Sequence, residues 1–496
     1  MIDTATGKAE EELDFVICQC HKYSNPDHRL NVYLLNDEPE LAKTILSALQ
    51  TYLEKFEADY GVYPYDQFSV VESTEEVGFA FPKMTWIGSQ LLHFPFILQT
   101  SLPHELLHSW WGNGVFVDYT KGNWCEGFTT FGADYGLISD ADKKIYRLKA
   151  ITSYLDYAHT GKEISLSQFI SRGEDRSLQA IGYDKSMMVL VMAEQRVGEK
   201  IFKLALKEFY GKFRYRKAAY QDFFSILSLL SGVDFTAFQN FWLYSVGILP
   251  KDFVQLDWQN QSNQLVATAE KMALSKIPGQ YLPMQLQFTD HSSQILYLKV
   301  NAEGTDIQMS PLKLTSQPEF YFFDQDFLLF RDLNENEKPV TFSTAFSATE
   351  LKLFSNDSEL LKAMEIAFPS TKISFTDDTF NLKPDFSIRQ IILVDSNHAN
   401  LIAEISTFLK EKNIFISDDH FSLSDKNFST KDHSFFTSFK IQQTTIIVFG
   451  LGLTQTQLRW LQRWGHYGAK SYVVLNSTGA EAQGLWLEAY KHYFTF

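Results

Sequence analysis

His104 and His108 stand four residues apart in His104-Glu105-Leu106-Leu107-His108. Residues i and i+4 share one face of a helix, so both imidazoles can aim at one point. Glu105 lies one step round the same helix, within reach of a water at that point. Two neutral histidines leave a zinc ion short of ligands; a catalytic site needs a third protein ligand and an open position for water. Glu126, in Trp124-Cys125-Glu126-Gly127 where a new helix can begin, is the candidate third ligand. With 12 histidines and 60 acidic residues in 496, His-acid-x-x-His should arise by chance about 0.035 times. The alternative is an amphipathic helix that happens to carry two histidines. Leu102, Leu106 and Leu107 supply its apolar side, Thr100 or Ser101 can cap it, and Pro103 suits its first turn.

The run His104-Glu105-Leu106-Leu107-His108-Ser109-Trp110-Trp111-Gly112-Asn113, followed by Trp124-Cys125-Glu126-Gly127-Phe128, resembles the zinc site of the aminopeptidase N family. These are gluzincin metallopeptidases, relatives of thermolysin. The Trp-x-Gly-Asn tail after the second histidine is that family's own. In the family eighteen residues usually separate the second histidine from the glutamate; here seventeen do. A one-residue deletion within Gly114–Asn123 would absorb the difference. The resemblance implies one Zn2+ per chain on His104, His108 and Glu126, with Glu105 as general base. Ile181-Gly182-Tyr183-Asp184-Lys185-Ser186 is similar to the family's Tyr-x-Lys-Gly stretch, with Ser186 in place of its glycine. That implies Tyr183 as the hydrogen-bond donor to the tetrahedral oxyanion.

The resemblance weakens ahead of the histidines. The family carries Gly-x-Met-Glu-Asn there, and its glutamate binds the substrate's free α-amine. The matching stretch here is Gly78-Phe79-Ala80-Phe81-Pro82. Phe81 holds the glutamate's place and Pro82 the asparagine's. Gly78, Phe79 and Ala80 can still line a cleft and pair with an extended peptide through their backbone. Glu72, Glu75 or Glu76 could replace the lost amine anchor, or could form a solvated acidic loop.

Composition bounds the rest. A chain of 496 residues is too long for one core. A net charge of −16 argues against nucleic acid and anionic membrane surfaces as partners. Cys18, Cys20 and Cys125 make no disulfide framework and read as incidental. No run of eighteen apolar residues forms a transmembrane span, and the first thirty residues lack a signal peptide. As given, the chain reads as soluble and cytoplasmic, or as extracytoplasmic if a signal-bearing segment precedes it.

The expected fold class is multidomain α+β: a thermolysin-like zinc peptidase catalytic domain, then a small β-sandwich and a C-terminal α/β domain. Residues 1–36, with strand-like runs at Leu13–Cys20 and Arg29–Leu35, read as the remnant of an N-terminal β domain, or as a hairpin folded onto the next domain. The catalytic domain covers 37–250. Its opening helix is Glu38–Tyr60, its strand Ser69–Val71, and later helices are Lys143–His159, Lys185–Arg196, Lys200–Phe213 and Tyr220–Leu230. Residues 251–345 alternate at period two in Met284–Phe288 and Leu296–Val300, as a β-sandwich would. Residues 346–496 alternate strands (Ile391–Asp395, Ile414–Ser417, Thr444–Gly450, Ser471–Leu475) with helices (Ala399–Lys410, Thr456–Trp464). The ending His466–Gly468, Ser471-Tyr472 and Gly484–Trp486 is similar to that of a bacterial subgroup of these peptidases. Gly450-Leu451-Gly452 lacks the third glycine of a phosphate loop. The expected partner is a peptide substrate. The rival readings are a zinc amide hydrolase or endopeptidase without free-amine specificity, and a non-catalytic binding protein on a retained fold.

Overall fold

The computed structural model describes residues 16–495 apart from 76–77, 159–160, 162, 172–174, 260–261, 263, 310–313, 315, 336, 343–349, 356–361, 363–364, 366–371, 377–389, 396–402, 418, 424–425, 443, 452–466, 468–469, 478 and 487–493. It divides into two compact units, Met1–Leu333 with Tyr493–Phe496, and Asn334–His492. No helix among the described residues is long and apolar enough to cross a membrane.

In the first unit, Pro39 opens the 22-residue helix α1 (Pro39–Tyr60), where its missing N–H costs nothing. Ala42, Ile45, Leu49, Leu53, Phe56 and Tyr60 recur at three- and four-residue steps and form the buried stripe. The stripe faces a five-stranded sheet built from β1 (His21–Ser24), β2 (Leu30–Leu34), β3 (Phe68–Ser73), β4 (Gly78–Phe81) and β5 (Met84–Gly88), in the order β1-β2-β3-β5-β4. β3 runs parallel to β2 and β5, and β4 returns antiparallel on β5, leaving β4 as an edge.

This sheet corrects the reading of the chain's start. Among the described residues the first strand is His21–Ser24, and residues 16–20 of the expected strand Leu13–Cys20 are irregular; residues 1–15 lie outside the described residues. Strand β2 pairs with β3 from Leu30↔Phe68 to Tyr33↔Val71. The hairpin therefore belongs to the sheet beside α1, because Leu30, Val32 and Leu34 bury completely there. Cys18 and Cys20 are joined in a disulfide, with Cα atoms 5.4 Å apart, inside the usual range for such a bond. Only Cys125 is a free thiol, and it is buried.

The helical part follows. α2 (Ser101–Leu107) carries His104 and ends at His108. α3 (Cys125–Thr129) widens into a π-helical turn at Thr130–Tyr135. α4 (Asp140–Ser153) does the same at Tyr154–Ala158. α5 (Arg176–Gln179) runs through a third π-helical turn, Ala180–Lys185, into α6 (Ser186–Val197). α7 (Glu199–Phe213), α8 (Tyr220–Ser231) and α9 (Thr236–Tyr244) complete it.

Beyond it, β6 (Val254–Gln259) and β7 (Gln264–Ala269) form a two-stranded sheet. β8 (Tyr281–Gln287), β9 (Ser293–Val300), β10 (Ile307–Met309) and β11 (Phe320–Phe323) form a second, with alternate residues buried along β8 and β9. Phe320–Phe323 pairs antiparallel with Met284–Gln287. The chain's end returns to this sheet, where Phe320↔Thr495 and Tyr321↔Phe494 pair. At 320–333 the backbone closes over the fully buried ion pair of Asp324 and Arg331, 2.9 Å apart.

The second unit carries a seven-stranded mixed sheet. Its strands are β12 (Glu350–Phe354), β13 (Lys372–Thr376), β14 (Ile391–Asp395), β18 (Ser434–Ile441), β19 (Thr444–Leu451), β20 (Tyr472–Leu475) and β21 (Ala480–Gly484), in the order β13-β12-β14-β19-β18-β20-β21. The first four in that order are parallel and the rest antiparallel. Helix α10 (Ala403–Glu411) buries Ile405, Phe408 and Leu409 in the same core as Ile392, Val394 and Val448. Ile414–Ile416 differs from expectation. It belongs to a separate three-stranded sheet with His420–Leu423 and Lys426–Ser429, labelled β15, β16 and β17. The expected helix Thr456–Trp464 lies outside the described residues.

Candidate metal centre

Helix α2 is short and is held from both ends of its sequence. Leu102, Pro103, Leu106 and Leu107 are buried. Just past the helix Trp110 donates from Nε1 to Gly61 O at 2.9 Å and packs edge-on against Phe56. Trp111 packs against Tyr60. The two tryptophans thereby fix the helix on α1. Thr100 occupies the cap position without a side-chain capping bond, so the helix is anchored by the tryptophan packing and the Trp110–Gly61 hydrogen bond rather than by the expected cap.

On this helix the rings of His104 and His108 lie 4.9 Å apart. Each has its Nδ1 occupied, His104 by Asp134 Oδ2 at 2.8 Å and His108 by Trp111 O at 3.0 Å. That leaves both Nε2 atoms for the other side, the usual orientation of an imidazole that binds a metal. Glu126 comes from α3, whose start is set by fully buried Trp124 donating to Ala218 O at 2.7 Å. Its Oε2 stands 3.3 Å from His108 Nε2 and 3.6 Å from His104 Nε2. The seventeen-residue interval after His108 therefore still delivers the carboxylate.

The three ligand atoms lie within 4.8 Å of one another. Glu126 Oε2 is buried and has no hydrogen-bond partner; its contacts with the two imidazoles are close but not aligned as hydrogen bonds. An orphaned carboxylate oxygen and two imidazole nitrogens converging on one point fit a cation at their centre. Electrostatics agree. Burial resists charge on His104, but Asp134 and Glu126 outweigh it and raise its pKa to about 10. Burial likewise resists charge on Glu126, and His108 and His104 hold it well below the ordinary carboxylate range. Burial raises Glu105.

Strand β4 passes over this point. A Cβ on Gly78 would stand 3.8 Å from Glu105 Oε1. Residues alternate across a strand, so Phe79 and Phe81 share the opposite face with Trp86; Phe79 pairs with Trp86 in register, and the Phe81 and Trp86 rings are 4.9 Å apart. Ala80 lies half-buried between them in sequence.

Among the acidic residues expected nearby, Glu72 is 3% exposed and fully engaged. Its Oε2 accepts from Leu35 N at 2.7 Å and its Oε1 from Ser89 Oγ at 2.6 Å. Glu75 is exposed on the turn before β4, and Glu76 lies outside the described residues.

Tyr183 reaches the same place from the third π-helical turn. Its ring stacks on His104 at 6.1 Å and 10°. The preceding Gly182 is required for this approach, because a Cβ there would fall 2.1 Å from Cζ of fully buried Phe169. Gly127 plays the corresponding part for Glu126: its Cβ would fall 1.7 Å from Ser186 Oγ. Ser186 itself hydrogen-bonds Tyr220 Oη at 2.6 Å.

Of two further residues, Lys185 stands at the lysine of the Tyr-x-Lys-Gly-like stretch, and Asp134 has no signal in sequence spacing. Asp134 lies eight positions after Glu126, which is 80° off its face in a regular helix. Lys185 is fully buried, and burial lowers its pKa to about 8.

Residues 96–242 match the peptidase family M1 domain. Over 152 residues the chain is 29% identical to "Aminopeptidase 2, mitochondrial" of Saccharomyces cerevisiae, covering 29% of this chain and 16% of the relative. Over 177 residues it is 26% identical to "Alanine/arginine aminopeptidase" of the same yeast, covering 34% and 20%. Over 137 residues it is 28% identical to "Aminopeptidase N" of Rattus norvegicus, covering 25% and 14%. The aligned part thus spans a fifth or less of these relatives' length. A solved structure of native yeast LTA4 hydrolase aligns with TM-score 0.37 and 20% identity over 46% of this chain and 39% of that one. His104, Glu105, His108, Glu126 and Tyr183 all lie within the stretch that matches the peptidase family M1 domain.

Proposed function

We propose that this chain is a zinc-dependent peptidase of the aminopeptidase N type. The observation that carries the reading is the convergence of His104 Nε2, His108 Nε2 and the unpartnered Glu126 Oε2 beside Glu105. One Zn2+ per chain would be held by those three residues; when bound, such an ion lowers the pKa of a water and polarises a carbonyl. Asp134 and Trp111 O fix both imidazoles in the tautomer that turns Nε2 inward. Glu105 takes the proton of the attacking water and passes it to the leaving amine. Tyr183 donates to the oxygen that becomes negative as the carbonyl is attacked. The free edge of β4 orients an extended peptide through its backbone.

A second reading concerns specificity. Glu72 already holds Leu35 N and Ser89 Oγ, and in the sequence Phe81 takes the position of the motif's amine-binding glutamate. This favours an amide hydrolase or endopeptidase without free-amine specificity. The finer domain reading is a thermolysin-like catalytic part through residue 250, a small β domain after it, and a C-terminal α/β domain. Elemental analysis tests the central proposal: one zinc per chain is expected, and Glu126→Ala should strip it. A wild-type protein that binds no zinc refutes the proposal.

A further inference from the structure

Lys185 is wholly buried, and the reaction above leaves it no task. It closes the π-helical turn Ala180–Lys185 that carries Tyr183. Residues two apart on a helix stand about 200° apart round its axis, so the two side chains leave opposite sides of the turn. Tyr183 stacks on His104. Lys185 runs the other way, its Nζ donating to Ser245 O at 3.5 Å and standing 5.4 Å over the Tyr154 ring.

Both contacts suit a cation. Ser245 is the C-terminal cap of α9, where unpaired carbonyls gather the negative end of the helix dipole. The Tyr154 ring presents its π face, and its hydroxyl is fixed by Glu163 Oε1 at 3.0 Å and Gly247 O at 3.4 Å. Among the described residues no carboxylate lies in ion-pair contact with Lys185, and the Glu163 carboxylate attracts it only from beyond the Tyr154 hydroxyl. A buried ammonium without such a contact is costly, and filling the space alone would suit methionine or leucine. The turn it closes is of a rare kind that forms at functional sites, and the position of a phenol within it depends on that wide register.

We propose that Lys185 is the positioning residue for Tyr183: tied to the carbonyl end of α9 and to the Tyr154 ring, it holds the π-helical turn in the register that sets the phenol beside His104. This rests on the peptidase reading, with Tyr183 as oxyanion donor.

Lys185→Met keeps the length and removes the charge. With zinc content unchanged, kcat should fall about 10–100-fold, as small misplacements do, while KM stays within about threefold. In a Tyr183→Phe background the same change should cost less than about threefold, because the residue it positions is already disabled. In the zinc-free chain, amide exchange across 180–185 should quicken about tenfold, with Glu199–Phe213 unaffected. Unchanged activity, a full additional loss in the Tyr183→Phe background, or unchanged exchange overturns the proposal. If Lys185→Met does not fold, Tyr154→Leu removes the ring beneath the ammonium and is read in the same cycle. A wild-type protein that hydrolyses no peptide refutes the peptidase reading, and the exchange measurement then still decides whether Lys185 holds the turn.

Discussion

Glu126 and Asp134 stand eight residues apart yet address the two nitrogens of one imidazole. Glu126 Oε2 lies 3.6 Å from His104 Nε2, and Asp134 Oδ2 lies 2.8 Å from His104 Nδ1. Eight residues of regular α-helix rotate about 80° past a whole turn; seven fall about 20° short. The π-helical turn Thr130–Tyr135 between them absorbs the extra residue and returns Asp134 to the face of Glu126.

Asp134→Ala should therefore weaken zinc binding without removing a ligand. Loss of a partner of this kind costs about 10–100-fold in metal affinity. Competition with a chelator of known affinity measures it. Affinity equal to wild type would mean that the Asp134–His104 contact does not orient the imidazole.

Glu105→Gln should retain zinc and lose about 10²–10⁴-fold in peptide hydrolysis, since only the proton acceptor is removed. Near wild-type turnover with full zinc would assign the base elsewhere.

Gly127→Ala should destabilise the protein by about 1–3 kcal/mol through overpacking, because the added methyl meets Ser186 Oγ. Ser186→Gly removes the obstacle at the expense of its bond to Tyr220, worth about 1 kcal/mol. The double variant should be more stable than Gly127→Ala alone in urea unfolding. Strict additivity of the two losses would show that the pair is not in contact.

Glu194 on α6 supplies a pH signature away from the metal. Burial, then the charge of Glu199, raises its pKa to about 7. A carboxyl raised in the folded state binds its proton more tightly there than when unfolded. Its favourable contribution is complete below the unfolded value of about 4.3 and is lost as pH rises to about 7. Glu194→Gln should thus gain about 1–3 kcal/mol over wild type at pH 8 and nothing at pH 4. Comparing the two proteins' melting temperatures at both pH values checks this. A difference independent of pH would rule out the titration.

Substrate choice follows from Glu72. With both its oxygens engaged, the amine of a substrate finds no replacement there for the missing anchor. One peptide with and without an N-acetyl group should differ little in kcat/KM. Preference for the free amine above about 100-fold, roughly 2.7 kcal/mol, would restore plain aminopeptidase specificity and turn attention to Glu75 and Glu76.

The chain's local spacing was enough to pair His104 with His108 and to place Glu105 beside them, because one helical turn is a property of the backbone alone. The run after His108 and the Trp124–Phe128 stretch likewise pointed to Glu126, and period-two alternation marked β8 and β9. Distant parts of the chain had to meet before the rest could be read. A wide helical turn shifts every later residue by one position, so nothing in the interval from Glu126 advertised Asp134. Glu72 looked free until Leu35 N and Ser89 Oγ closed on it. The first hairpin read equally as a domain remnant or as folded onto the next domain until β2 found β3, and the last residues looked part of the final domain until Phe494 paired with Tyr321. Helical faces follow from angles fixed by neighbouring residues, whereas strand partners, buried hydrogen bonds and the tie from Lys185 to α9 follow from which segments exclude water together.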